Sequence, residues 1–337
     1  MIPLTILRKI DDTSFDIFKF EQDIGKDFVL PAIGNYIFTS LDLNDTICFN
    51  NFDLFLTRTR LGYNKNPYHN DIHAADVLQT CSNIFKLGNI TENCELSRLD
   101  LSAIFVSCLL HDIGHPGLNN NYQINKMTKL SLRYNDRSIL ENFHCYEGFK
   151  IMLLSDSNIL EGLEKEEVRI FRKRIIESVL STDMSNHTKV YSTLKCRIDS
   201  SYLEKNFSEN KLRSLVKADD SITKFEKQQD LVNFIVHTAD ISNPAKQFDV
   251  YSRWTDLLLE EFFMQGDLEK KEGLVVSFLC DRSTVNVPRS QVGFINSIVL
   301  PLFKILTLVA HDAKGYEVNL ENNCELMKKM IEQEKNK

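Results

Sequence analysis

At 337 residues, 43% hydrophobic and 26% charged, with few glycines and prolines, the chain has the composition of a globular helical protein with a large core, which excludes disorder. A formal charge of −7 excludes a protein that grips nucleic acid through its phosphates, because that needs a basic face and counterion release. A small anionic substrate stays compatible, since a bound cation inverts the local field.

Helical periodicity begins clearly at 73–88, where Ala74, Val77, Leu78, Cys81, Ile84 and Phe85 recur at three- and four-residue steps and predict one core-facing side. Residues 99–113 are almost continuously apolar, and their length predicts a buried helix ending around His111-Asp112. The charged run Glu164-Lys165-Glu166-Glu167 reads as the solvated start of a helix over 167–181. A polar stretch, 199–227, is expected to be a partly helical surface crossover. Helices follow at 228–239 and 247–265, then a long loop at 266–290 marked by Gly266, Gly273 and Pro288, then a helix at 291–309. The Lys/Glu-rich end after Met327 reads as a fraying helix. Strand patterns are rare, so the fold class is all-α. Key motifs lie on both sides of 199–227, so residues 1–337 are expected to form a single domain.

The eight cysteines are scattered without a C-x-x-C pair and read as reduced thiols of a cytoplasmic chain. No uninterrupted apolar run reaches the roughly 18 residues of a membrane span, and the N-terminus lacks the order of a signal peptide. No membrane contact is expected from this segment, although a membrane-anchored parent chain stays compatible.

Three motifs carry chemistry. Tyr68-His69-Asn70-Asp71-Ile72-His73 puts two histidines four residues apart, on one face of a helical turn. His111-Asp112-Ile113-Gly114-His115-Pro116-Gly117 ends an apolar helix, where burying polar groups costs several kcal/mol unless they are paired or ligate a cation. His237-Thr238-Ala239-Asp240 again places an acid at the end of an apolar helix. A set of His73, His111, Asp112 and Asp240 would offer two imidazoles and two carboxylates, a mixture suited to zinc, manganese or iron with positions left for water.

These motifs, with YNDRSILENFH (134–144), STDMSNH (181–187), HTADISNP (237–244), WTDLLLEEFFMQGD (254–267) and SQVGFI (290–295), closely resemble the class I cyclic nucleotide phosphodiesterase family over about residues 12–330. The resemblance implies that His73, His111, Asp112 and Asp240 bind a first ion, usually zinc, and that Asp112 bridges to a second, usually magnesium or manganese. His115, Glu141 and Thr182 would lie around the second ion's waters, with His144 supporting the site. His69 takes the place of the general acid, and Glu261 that of the acid orienting it. The implied reaction is attack on the cyclic phosphorus by a hydroxide held between the ions, with His69 protonating the departing 3′ oxygen. The product would be a nucleoside 5′-monophosphate.

For the base, Gln291 matches the purine-binding glutamine, Phe294 and Leu258 are the facing jaws, and Tyr68 joins the substrate pocket. Asn243 and Tyr251 resemble the cyclic-AMP-selective branch, which leaves cyclic GMP or dual specificity open. Gly114 stands where many relatives carry an acid, and Phe143 where His is frequent. Another His-Asp phosphohydrolase, or a noncatalytic nucleotide sensor, stays open as an alternative, as do regulatory domains and homodimerisation. His311-Asp312 falls outside every motif and reads as a helix-end surface pair. His187 and His237 read as local hydrogen-bonding or packing residues, and Trp254 as a core or pocket-wall anchor.

Overall fold

A computed structural model describes residues 2–203, 211–219 and 222–335, and among these there are helices and turns but no strand. Its longer helices are α1 (Ile17–Ile24), α2 (Val29–Ser40), α3 (Phe52–Gly62), α4 (Asp71–Leu87), α5 (Arg98–Leu110), α6 (Ile139–Met152) and α7 (Lys165–Leu180). They continue with α8 (His187–Leu203), α9 (Lys224–Asp240), α10 (Phe248–Glu272), α11 (Val287–Phe294), α12 (Leu300–Val309) and α13 (Lys314–Lys335). The all-α expectation holds among the described residues. Of the polar crossover at 199–227, residues 204–210 and 220–221 lie outside them.

Helix α4 is the axis of the fold, packed against α2, α5 and α9. Every residue from Asp71 to Phe85 is buried, so the helix is covered all round rather than on the one face its periodicity predicts. The polar side tolerates burial because its groups are paired: the Nζ of buried Lys246 reaches Asp76 at 2.8 Å and Thr80 at 2.7 Å. Helix α5 starts at a reciprocal cap between Ser97 and Asp100 and buries Leu101–Leu110. It ends at Leu110 with His111 as its cap, at the expected place, and the chain then turns where Gly114 adopts φ +75°. Fully buried Arg174 of α7 ties back to Asp100 through Nε at 3.1 Å and Nη2 at 2.8 Å.

The predicted loop at 266–290 is a correction. Gly266 does not end α10, which runs on to Glu272, but sits inside it because a Cβ there would lie 1.8 Å from the Cys280 carbonyl oxygen. The loop is therefore shorter, 274–286. It is closed by buried Glu269, which accepts hydrogen bonds from the Ser277 N–H (2.7 Å) and hydroxyl (2.6 Å). Helix α11 starts at Val287 with Pro288 in its first turn and Asn286 as its cap, then passes through a π-helical turn at Ile295–Val299 into α12. The span Val287–Val309 is long and apolar enough to cross a membrane by length and composition, and here it buries Ile295, Val299, Leu302, Phe303 and Leu306 in the core.

Candidate active site

The cap that starts α4 also begins the site. Asn70 Oδ1 accepts from the N–H groups of Ile72 (2.9 Å) and His73 (3.2 Å), which places His73 in the first turn and His69 just ahead of it. Helix α5 ends on His111-Asp112, and α9 ends on Asp240. One donor atom from each of His73, His111, Asp112 and Asp240 lies within 4.8 Å of the others. His73 Nε2 is 3.0 Å from Asp240 Oδ1 and 3.6 Å from Asp112 Oδ2, while His111 Nε2 is 3.0 Å from Asp112 Oδ2 and 3.2 Å from Asp240 Oδ1.

This donor set fits a cation. Ligand atoms about 2.0–2.1 Å from a tetrahedral ion stand roughly 3.3 Å apart, which is the spacing observed. His111 Nδ1 lies 2.9 Å from the Cys108 carbonyl and donates to it, so Nε2 is the nitrogen that faces the acids. Burial opposes charge on all three of His111, Asp112 and Asp240. Their mutual attraction nevertheless holds His111 well above the ordinary imidazole range and both carboxyls well below theirs. The cluster is built to hold positive charge.

His69, Asp112 and His115 form a second such group. Glu261, on α10, presents Oε1 to His69 Nδ1 at 2.5 Å, while its Oε2 accepts the backbone N–H groups of Tyr68 (2.9 Å) and His69 (3.0 Å). Burial would lower the His69 imidazole, but Glu261 and then Asp112 outweigh it and raise it to about 9. The same pairing outweighs burial at Glu261 and brings its carboxyl down to about 2. His115 stacks on His69 with ring centroids 4.0 Å apart, and its Nδ1 accepts the Gly117 N–H at 3.0 Å. Burial and then the charge on His69 push His115 well below its ordinary value, so it stays neutral.

Beyond Asp112, His144 donates Nδ1–H to the Ile113 carbonyl (2.7 Å) and turns Nε2 toward Asp112 Oδ1 at 3.7 Å. Burial lowers it to about 4. Glu141 accepts the Asn120 amide on both oxygens at 3.1 Å, and burial together with Asp183 raises its carboxyl to about 8. Thr182 is buried and donates its hydroxyl to the Val179 carbonyl at 2.8 Å.

Tyr251, Trp254, Leu258 and Glu261 recur at three- and four-residue steps and share one face of α10. Trp254 is buried in the core against Phe18, Tyr68 and His73, one of the two positions expected of it. Tyr251 donates its hydroxyl to buried Gln291 Oε1 at 2.9 Å. Tyr68 donates its hydroxyl to Asn243 Oδ1. Leu258 and Phe294 are half-buried at the edge of the core.

The remaining expectations also find their places. His187 Nδ1 and His237 Nε2 meet at 3.0 Å and neither belongs to the donor cluster, and His311 and Asp312 are exposed. Gly114 and Phe143 face each other: a Cβ at 114 would lie 3.0 Å from the Phe143 ring, so the two departures from the family pattern form one contact.

A family profile described as 3′5′-cyclic nucleotide phosphodiesterase matches residues 68–320, which carry every one of these side chains. The chain belongs to the 3′,5′-cyclic nucleotide phosphodiesterase family. Among curated phosphodiesterases, it is 34% identical over 331 residues to a probable 3′,5′-cyclic-AMP phosphodiesterase of Caenorhabditis elegans, covering 97% of this chain and 47% of that protein. It is 38% identical over 311 residues to the human dual specificity calcium/calmodulin-dependent 3′,5′-cyclic nucleotide phosphodiesterase 1B, covering 91% of this chain and 53% of that protein. The chain thus spans about half the length of these curated relatives. The phosphodiesterase domain of a rhodopsin phosphodiesterase from the choanoflagellate Salpingoeca rosetta superimposes with a TM-score of 0.85 at 28% identity, covering 97% of each chain.

Sequence reasoning missed the residues that position this site from a distance. Asn66 donates its amide to the carbonyls of His69 (2.9 Å) and His115 (2.7 Å), joining the first two motifs, and Asn120 fixes Glu141. Both are asparagines in loops or short helices, where the residue type alone signals only a turn.

Proposed function

We propose that this chain hydrolyses 3′,5′-cyclic nucleotides to nucleoside 5′-monophosphates, with cyclic AMP preferred to cyclic GMP. The observation that carries the reading is the His69–Glu261 pair set beside the four-donor cluster. A protonated imidazole next to a site for divalent cations is the pairing that cleavage of a phosphodiester with a poor alkoxide leaving group requires.

His73, His111, Asp112 and Asp240 would hold the first ion, zinc by the chemistry of the donors, and Asp112 would share the second, magnesium or manganese. Divalent cations bound there would lower the pKa of a coordinated water and neutralise the phosphoryl oxygens. His69 keeps a proton on the nitrogen that faces the pocket, because Glu261 holds the other one, and passes it to the departing 3′ oxygen. His115 and His144 stay neutral and orient hydrogen bonds without adding charge. Glu141 and Thr182 would serve as hydrogen-bonding groups for water around the second ion.

Phe294 and Leu258 would sandwich the base, with Gln291 and Asn243 reading its polar edge. Adenine and guanine present donor and acceptor in opposite order on that edge, so a glutamine free to rotate reads both. Tyr251 pins the Gln291 oxygen, and a pinned amide favours one purine. The test is parallel turnover of cyclic AMP and cyclic GMP by metal-replete protein across substrate concentration. Release of 5′-AMP with the higher kcat/KM is expected, and turnover of neither nucleotide would end the proposal.

A further inference from the structure

The turn that follows Asp240 carries Asn243 and then, three residues on, a lysine with no role in the chemistry. Lys246 is 2% exposed. Its Nζ makes three contacts, all to α4: Asp76 Oδ1 at 2.8 Å, Thr80 Oγ1 at 2.7 Å and Gln79 Oε1 at 3.2 Å. An ammonium has three N–H groups, so it is satisfied in full. The acceptors are themselves oriented. Gln79 spends its amide N–H groups on the carbonyls of Ile10 (2.9 Å) and Asp12 (3.1 Å), which leaves its oxygen facing Lys246.

The backbone of the same turn is stapled from the other side. Asn323 of α13 donates to the carbonyls of Pro244 (2.8 Å) and Lys246 (2.9 Å), and Asn319 to that of Ala245 (3.0 Å). Lys246 N–H closes onto the Asn243 carbonyl at 3.1 Å. Asn243 thus rides on a rigid turn clamped to the helix that also bears His73, and its side chain meets Tyr68 just ahead of that helix. A buried ion pair contributes little net stability compared with apolar packing, but it fixes geometry, because displacing either charge leaves the other unpaired.

We propose that Lys246, through its ion pair with Asp76, is a positioning residue for purine recognition that acts through Asn243. This rests on the reading of the pocket as a purine nucleotide site. It assigns the selectivity of that site in part to a lysine that never touches the ligand.

The test is a double-mutant cycle read by equilibrium binding of 5′-AMP, so that it does not depend on turnover. Lys246→Met and Asn243→Ala are each expected to weaken binding about tenfold, and the double variant is expected to bind no more weakly than either alone. Multiplying losses, or normal binding by Lys246→Met, would overturn the inference. If Lys246→Met fails to fold because Asp76 is left charged and unpaired, the pair Asp76→Asn/Lys246→Met removes both charges and takes its place in the cycle. Wild-type protein that binds 5′-AMP but turns over no cyclic nucleotide would refute hydrolysis and leave this inference standing. Wild-type protein that binds no purine nucleotide would overturn both.

Discussion

Glu261 grips His69 at two points and Tyr68 at a third, with Oε1 against the imidazole Nδ1 at 2.5 Å and Oε2 against the backbone N–H groups of Tyr68 and His69. A carboxylate that holds both the ring and the backbone of one residue fixes its position and its charge together. Below a pKa of about 9 the imidazole is protonated, so the acid form is abundant at neutral pH and is lost as pH rises through about 9. In Glu261→Gln the largest attraction is gone while burial and the weaker pull of Asp112 remain, so the His69 pKa falls and the alkaline limb of the kcat/KM profile moves to lower pH. Loss of general-acid catalysis should cost on the order of 10²–10⁴-fold in kcat at pH 8. A profile whose alkaline limb stays in place in the variant would refute the role given to Glu261.

Removal of divalent cations should abolish turnover and also destabilise the fold. Without a cation, Asp112 and Asp240 keep their negative charges close together inside the protein, relieved in part by the neighbouring histidines. A ligand at about 100 times its Kd contributes about 2.7 kcal/mol to the native state. Dialysis against a chelator should therefore lower the Tm by about 4 °C, with zinc plus magnesium or manganese restoring both Tm and activity. An unchanged Tm would show that the four donors hold no tightly bound ion.

Selectivity should respond to Tyr251 before it responds to Gln291. Tyr251→Phe deletes the donor to Gln291 Oε1 and frees the amide to rotate. The ratio of kcat/KM for cyclic AMP to that for cyclic GMP should fall about tenfold, the worth of one hydrogen bond in a buried pocket, mostly through a lower KM for cyclic GMP. Gln291→Ala should raise KM for both nucleotides and bring the ratio toward one. An unaltered ratio in Tyr251→Phe would mean that the glutamine is oriented by something else.

The parts of this molecule that are legible in sequence are those in which one residue type does one thing. His73, His111, Asp112 and Asp240 come together as the motifs imply, because each ends or begins a helix whose apolar pattern is plain. What escapes is the use of a residue against its usual sense. Gly266 marks a close approach of Cys280 to an unbroken helix, not a helix end. Lys246 is a buried lysine in a turn, where solvent exposure is the rule. Helix α4 reads as one-sided because its second buried face is polar, and only the distant partners of Asp76, Gln79 and Asn83 make that burial possible.

Asn70 joins the helix start to the turn that carries His69, and its two functions separate cleanly by substitution. Its Oδ1 caps α4, while its amide nitrogen holds the carbonyls of Asn66 (3.0 Å) and Pro67 (3.1 Å). Asn70→Ala loses both, and the cap alone is worth about 1 kcal/mol. It should therefore lower the Tm and loosen His73 as well as His69, reducing metal affinity and kcat together. Asn70→Asp keeps an oxygen for the cap but has no amide to donate. Stability and metal content should then stay near wild type while kcat falls about tenfold, because the turn bearing the general acid is released from one side only. Titration of metal binding alongside kcat distinguishes the cases. If Asn70→Asp lost metal affinity as severely as Asn70→Ala, the turn and the helix cap would be a single mechanical unit, and His69 and His73 could not be tuned apart.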